Sequence, residues 1–172
     1  IKNNNNHIRL KPLSEYFNKS KFLVIFRDPF SQARSLLVQH INFLKLQEKN
    51  EFILEYMNLL GHNEFGKNVK PFIYANSKNY WFREFSNQNP NYWLNQWIQT
   101  YSWILNSNLL KNKNVFLISY ENLCNDKNYY KEICNICNIK NTTAGIDFKS
   151  GNKNSDIKQK DLDSLLVKQS IE

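Results

Sequence analysis

Phe22-Leu23-Val24-Ile25-Phe26-Arg27-Asp28-Pro29-Phe30-Ser31-Gln32-Ala33-Arg34-Ser35 is the stretch on which the reading of the fold turns. Its first five residues form an apolar run rich in β-branched and aromatic side chains without polar alternation, the pattern of a strand buried on both faces. The run stops at Arg27. Pro29, with φ already fixed near the helical value, fits the first turn of a helix, and Asp28 can accept from the unpaired amides such a turn exposes. A buried strand passing directly into a helix predicts an α/β arrangement with its junction at the strand's carboxyl end.

Working outward, the helix is expected to continue through about Lys49, and a second one, residues 50–60, to be closed by Gly61. Residues 61–90 hold two Pro, two Gly and many aromatics without clean periodicity, and read as an irregular binding excursion. Helical spacing returns over 92–111, with Trp93, Trp97, Tyr101, Ile104 and Leu105 on one face. Asn112-Lys113-Asn114 breaks it, and Val115-Phe116-Leu117-Ile118 reads as a second buried strand. A short amphipathic segment, 11–18, precedes the first strand, and an amphipathic helix, 126–139, follows the second. The order predicts an α/β domain with at least part of a parallel sheet and no domain boundary.

The chain has 172 residues, 41% hydrophobic and 15% aromatic, enough for a real core and unlike a disordered chain. No window approaches the roughly 18–20 apolar residues of a membrane span, and residues 1–9 lack the pattern of a secretory signal. The net charge of +8 invites a polyanion reading. Yet the sequence holds 28 Asn and 19 Lys against 4 Arg, and its lysines are scattered, so the charge reads as diffuse and tied to an Asn-rich composition. Met57 is the only methionine, and helical periodicity through Leu162, Leu165 and Leu166 runs to the end without a terminating residue. Both ends are therefore expected to be cut.

At the end of a parallel strand, Arg27 stands where open α/β sheets bind ligands. A guanidinium matches phosphate or sulfate oxygens in pairs, and the following helix aims amides at the same point. Ser31, Ser35 and Gln39, at i, i+4 and i+8, fall within about 80° of arc on that helix. Arg27 with Ser35 is thus a candidate anion clamp. The competing reading pairs Arg27 with a surface carboxylate and leaves the serines solvated.

The stretch 22–35 resembles the 3′-phosphate-binding motif of the sulfotransferase family, in which a strand ends in Arg, Pro follows two residues on, and a helix Ser stands eight residues after the Arg. Val115-Phe116-Leu117-Ile118-Ser119-Tyr120-Glu121-Asn122-Leu123 resembles the family's later strand and its Tyr-Glu-Asp/Asn-Leu turn, and the helix bearing Trp93, Trp97 and Tyr101 is similar to one in many bacterial members. Gln39-His40, Tyr56-Met57, Gly61-His62-Asn63-Glu64-Phe65-Gly66 and Lys70-Pro71-Phe72 resemble a bacterial and marine subgroup signature. The resemblance spans about residues 12–140.

The resemblance implies a three-layer, P-loop-like α/β domain with a mainly parallel sheet flanked by helices, of which residues 1–172 would be a single partial domain. It implies a sulfotransferase moving a sulfuryl group from 3′-phosphoadenosine 5′-phosphosulfate (PAPS) to a hydroxyl or amine acceptor, without a metal. Arg27 and Ser35 would grip the 3′-phosphate with Ser31 beside them. Tyr120 would approach the adenine, or else pack and bond locally. Lys153, in the loop 149–154, would close over the phosphates, or that loop is a plain connection. The family's glycine-bearing loop for the 5′-phosphosulfate is matched by none of Gly61, Gly66, Gly145 and Gly151, and is expected upstream.

A general base must take the acceptor's proton. His40, His62 and Glu64 are the candidates. His40 alternatively packs or faces solvent, and His62 with Glu64 alternatively orders the loop. Partners are then a nucleotide donor and an unspecified acceptor, with neither nucleic acid nor membrane. The alternatives are a non-catalytic relative with a degenerate anion pocket and, behind it, a basic nucleic-acid-binding module. Cys134-Asn135-Ile136-Cys137 and His62-Asn63-Glu64 recombine part of a zinc-deaminase pattern, but residue 133 is Ile where that pattern has Pro, and a structural zinc would need four ligands. Free thiols fit a reducing, cytoplasmic setting.

Overall fold

A computed structural model describes residues 5–74, 81–140 and 162–171. The strands fall where the apolar runs place them: β1 is Phe22–Phe26 and β2 is Val115–Ser119, paired in parallel with Phe22 opposite Val115 and Phe26 opposite Ser119. The helices are α1 (Leu10–Tyr16), α2 (Pro29–Lys49), α3 (Glu51–Leu59), α4 (Pro90–Asn106), α5 (Tyr120–Asn125), α6 (Lys127–Ile136) and α7 (Ser164–Ile171). Pro29 begins α2, and the side chain of Asn50 caps α3 by accepting from the Phe52 amide. Gly61 ends α3 at φ +69°, while His62 N–H returns to Met57 C=O at 2.8 Å. Asn138 closes α6 in the same way at φ +55°, with Ile139 N–H on Cys134 C=O.

The expected three-layer P-loop-like domain is not what this chain forms. The described residues are 64% helix and 7% strand, and the sheet has two strands. Only two stretches carry continuous β-branched and aromatic runs, whereas the apolar residues of α2 and α4 recur at helical spacing and bury one face of each helix. Two strands cannot form a layer that helices cover on both sides. Accordingly β1 is not buried on both faces: Leu23 and Ile25 are 39% and 51% exposed. The helix expected over 92–111 also stops at Asn106, where Ser107 is extended, and continues only as a 3-10 turn over Asn108–Lys111.

The chain divides into two compact units, one of Ile1–Asp28 with Ile104–Lys153, the other of Pro29–Trp103 with Asn154–Glu172. In the first, the strand pair is fastened at its start by Asn114, whose carbonyl accepts from Phe22 N–H at 2.8 Å, whose side-chain oxygen accepts from Lys21 at 3.0 Å, and whose side-chain amide donates to Asn18 C=O. In the second, Trp93 and Leu94 of α4 are almost wholly buried with Trp81, against Ala33 and Leu37 of α2 and Leu166 of α7. Among the described residues no helix is long and apolar enough to cross a membrane.

Burial separates two leucines that composition treats alike. Leu94 has 0% exposure and Leu59 has 83%. In urea titrations Leu94→Ala is expected to cost about 2–5 kcal/mol and Leu59→Ala less than about 0.5 kcal/mol; equal losses would contradict this core.

Candidate anion site

The register that pairs Phe26 with Ser119 brings the residues that follow, Arg27 and Tyr120, to the same end of the strand pair. Arg27 lies with its guanidinium carbon 5.2 Å from the centre of the Tyr120 ring, within cation–π range. Among the described residues it makes no ion pair with a carboxylate. The surface-carboxylate alternative therefore finds no partner among the described residues.

The nearest acid in sequence to Tyr120 is engaged by the chain itself. Glu121 Oε1 accepts from the backbone N–H of Asp28 at 2.9 Å, which ties the end of β1 to the residue after Tyr120. Ser119 caps α5 by accepting from Asn122 N–H, and Ser119 N–H donates to the Tyr129 hydroxyl at 3.1 Å. These bonds fix the backbone on either side of Tyr120. Its hydroxyl titrates above the ordinary tyrosine value, first because of a hydrogen bond with the Cys124 thiol one helical turn on, then because of burial, with Arg27 opposing. Glu121 and Cys124 are the neighbours that sequence reasoning missed; the Tyr120–Cys124 spacing of one turn was the available signal.

Ser31 and Ser35 stand on α2 in the other unit, Ser31 half-buried and Ser35 exposed. Lys153 lies outside the described residues. His62 and Glu64 are held together, Nδ1 to Oε1 at 3.4 Å, on the segment after α3. His40 is 0% exposed on α2, its ring tilted 5.3 Å from Trp93, and its Nδ1 accepts from the Gly66 backbone N–H at 3.2 Å. A nitrogen already filled by a backbone amide and shut away from solvent has no path to a substrate proton.

A second side chain of α2 grips the same segment. Gln47, two turns beyond His40 and also buried, accepts from Lys67 N–H at 2.8 Å and donates to the Met57 sulfur at 3.1 Å. Gly66 has φ +84°, and a Cβ there would strike the Gln47 amide. The three cysteines are unpaired, and among the described residues no cluster of His, Cys, Asp and Glu could hold a metal ion. Comparison of the chain with protein-family models, curated proteins and solved structures finds no match.

The causes of the Tyr120 shift set the direction of two variants. In an ultraviolet or carbon-13 tyrosine titration, Cys124→Ala is expected to bring the Tyr120 midpoint down toward the ordinary value of about 10, and Arg27→Leu to raise it further. A midpoint unmoved by both substitutions would separate Tyr120 from these neighbours.

Proposed function

We propose that the Arg27–Tyr120 junction binds the phosphorylated ribose end of an adenine nucleotide, and that the chain is a PAPS-using sulfotransferase of which this stretch is the nucleotide grip. The observation that carries the reading is Arg27 itself: it follows a parallel strand, lies over an aromatic ring, and has no carboxylate partner among the described residues. An arginine so placed keeps its paired donors for an oxyanion, and the ring holds it without neutralising it. The resemblance of residues 22–35 and 115–123 to sulfotransferase motifs adds the ligand's identity, and Ser31 and Ser35 enter on that resemblance alone.

In sulfuryl transfer the acceptor oxygen or nitrogen bonds to sulfur as the bond from sulfur to the nucleotide's phosphate oxygen breaks, that oxygen leaves with the electron pair, and the acceptor's proton passes to a base or to water. The protein's part is to hold donor and acceptor in line and to balance the charge that develops. Arg27 contributes by fixing the 3′-phosphate, away from the reacting atoms. It is a binding residue, and its loss is expected to weaken nucleotide binding.

Two nucleotides that differ at one position isolate its role. At a concentration near one hundred times its Kd, 3′-phosphoadenosine 5′-phosphate is expected to stabilise the protein by about 2.7 kcal/mol, a rise in melting temperature of roughly 5–10 °C. Adenosine 5′-monophosphate, which lacks the 3′-phosphate, should give a smaller rise, and Arg27→Ala should erase the difference between the two. Equal shifts from both nucleotides in the parent protein would contradict the proposal, and generic duplex DNA binding that falls steeply with salt would favour the nucleic-acid alternative.

A further inference from the structure

We propose that His40 is a proton-operated latch on residues 61–70: its neutral imidazole fastens this segment to α2, and protonation at Nδ1 releases it. The argument begins with the bond. Gly66 N–H donates to Nδ1 at 3.2 Å, so that nitrogen carries a lone pair and the ring proton sits on Nε2. A proton added at Nδ1 converts the acceptor to a donor facing another donor, and the bond to Gly66 cannot survive it.

Burial opposes the charged form of the ring, and among the described residues it is the Asn87 side chain that favours it. His40 is fully buried, and its Nε2 has no hydrogen-bond partner among the described residues. On α2, one turn to either side stand Leu36, Leu37, Phe43 and Leu44, none of them ionisable. On α4 the ring meets Trp93, and the adjoining 81–90 segment brings the Asn87 side chain. The acids on the neighbouring segments are engaged elsewhere, Glu64 with His62 and Glu84 with the Asn95 amide. Burial accordingly depresses the pKa of His40 below its ordinary 6.5, with Asn87 opposing.

The consequence is local, because the segment is attached at few points. Gln47 takes the next amide, Lys67 N–H, and Phe65 lies between Phe43 and Trp93 at 5.9 and 5.6 Å. Further bonds run within the segment or to the end of α3, among them Lys70 N–H to Asn63 C=O, His62 N–H to Met57 C=O, and the Asn68 amide to Asn58. Losing the His40 bond frees Gly66, which packs so closely on the Gln47 amide that a Cβ would strike it, and so disturbs the second attachment. A cavity of about 450 Å³ lies between Asn58 of α3 and Asn63, Asn68, Val69 and Lys70 of this segment, so its shape depends on the latch.

The opened form binds protons with the ordinary histidine affinity and the closed form more weakly. Opening is therefore constant above pH 6.5, grows about tenfold per pH unit as pH falls below it, and levels off below the depressed pKa of the closed form. Hydrogen exchange of the whole chain between pH 7.5 and 4.5, corrected for intrinsic rates, tests this at the Gly66 and Lys67 amides. Their protection should fall along that curve while Trp93, Leu94 and Ile98 in α4 stay protected. In His40→Asn, whose side-chain oxygen can accept near the place of Nδ1 but cannot take the proton, protection should be independent of pH. The same pH dependence in His40→Asn, or loss of protection in α4 together with the segment, would overturn the latch. Should His40→Asn fail to fold, nitrogen-15 shifts of the wild-type imidazole supply the test. Protonation of His40 and loss of Gly66 protection must then share one midpoint, and separate midpoints overturn the proposal.

Discussion

The parallel pairing of β1 with β2, in the register that sets Phe26 beside Ser119, is the constraint from which the candidate site follows. A parallel pair joins segments far apart in sequence, here 93 residues, so it must be specified by something stronger than proximity. Asn114 supplies part of this by tying together Asn18, Lys21 and Phe22 at one end of the strands. Glu121 supplies the rest at the other end by accepting the amide of Asp28. Between the two clamps a slip of one residue would exchange the faces of every strand side chain and separate Arg27 from Tyr120.

The second unit rests on a different principle. Its core is aromatic, with Trp81, Tyr92 and Trp93 meeting at ring separations of 5.1–5.4 Å, and its irregular segment is fastened by side-chain acceptors instead of a strand ladder. His40 and Gln47, two turns apart on one face of α2, take consecutive backbone amides. Buried amides need partners, and where no ladder supplies them, polar side chains must be buried to do so. That requirement accounts for a histidine and a glutamine inside an otherwise apolar face.

Much of the local structure was legible because its signals are local. The two apolar runs are strands, Pro29 begins α2, and Asn50 and Gly61 bound α3, each through chemistry confined to a few residues. What was not legible depends on distant partners. The burial expected on both faces of β1 assumed neighbouring layers, and the run Phe22–Phe26 contains nothing that reports their absence on the side of Leu23 and Ile25. The three-layer fold was implied by the resemblance of residues 22–35 and 115–123 to sulfotransferase motifs, and it failed because those motifs report two strands and nothing of the further strands a layer needs. At the site, the place of Arg27 could be anticipated from the strand that precedes it. Gln47 could not, because a glutamine late in a helix reads as solvated until a loop returns to it from 20 residues away.

The account depends most on Arg27 meeting a phosphate beside the Tyr120 ring. Carbon-13 labelling of the tyrosine rings allows this to be followed at one residue, with Tyr120→Phe assigning the signal. On titration with 3′-phosphoadenosine 5′-phosphate, the Tyr120 ring resonances should shift in a saturable manner, and in Arg27→Ala they should not respond over the same concentrations. A nucleotide that binds with Tyr120 unmoved, or that shifts Tyr120 equally with Arg27 removed, would contradict the assignment of this junction as the nucleotide grip.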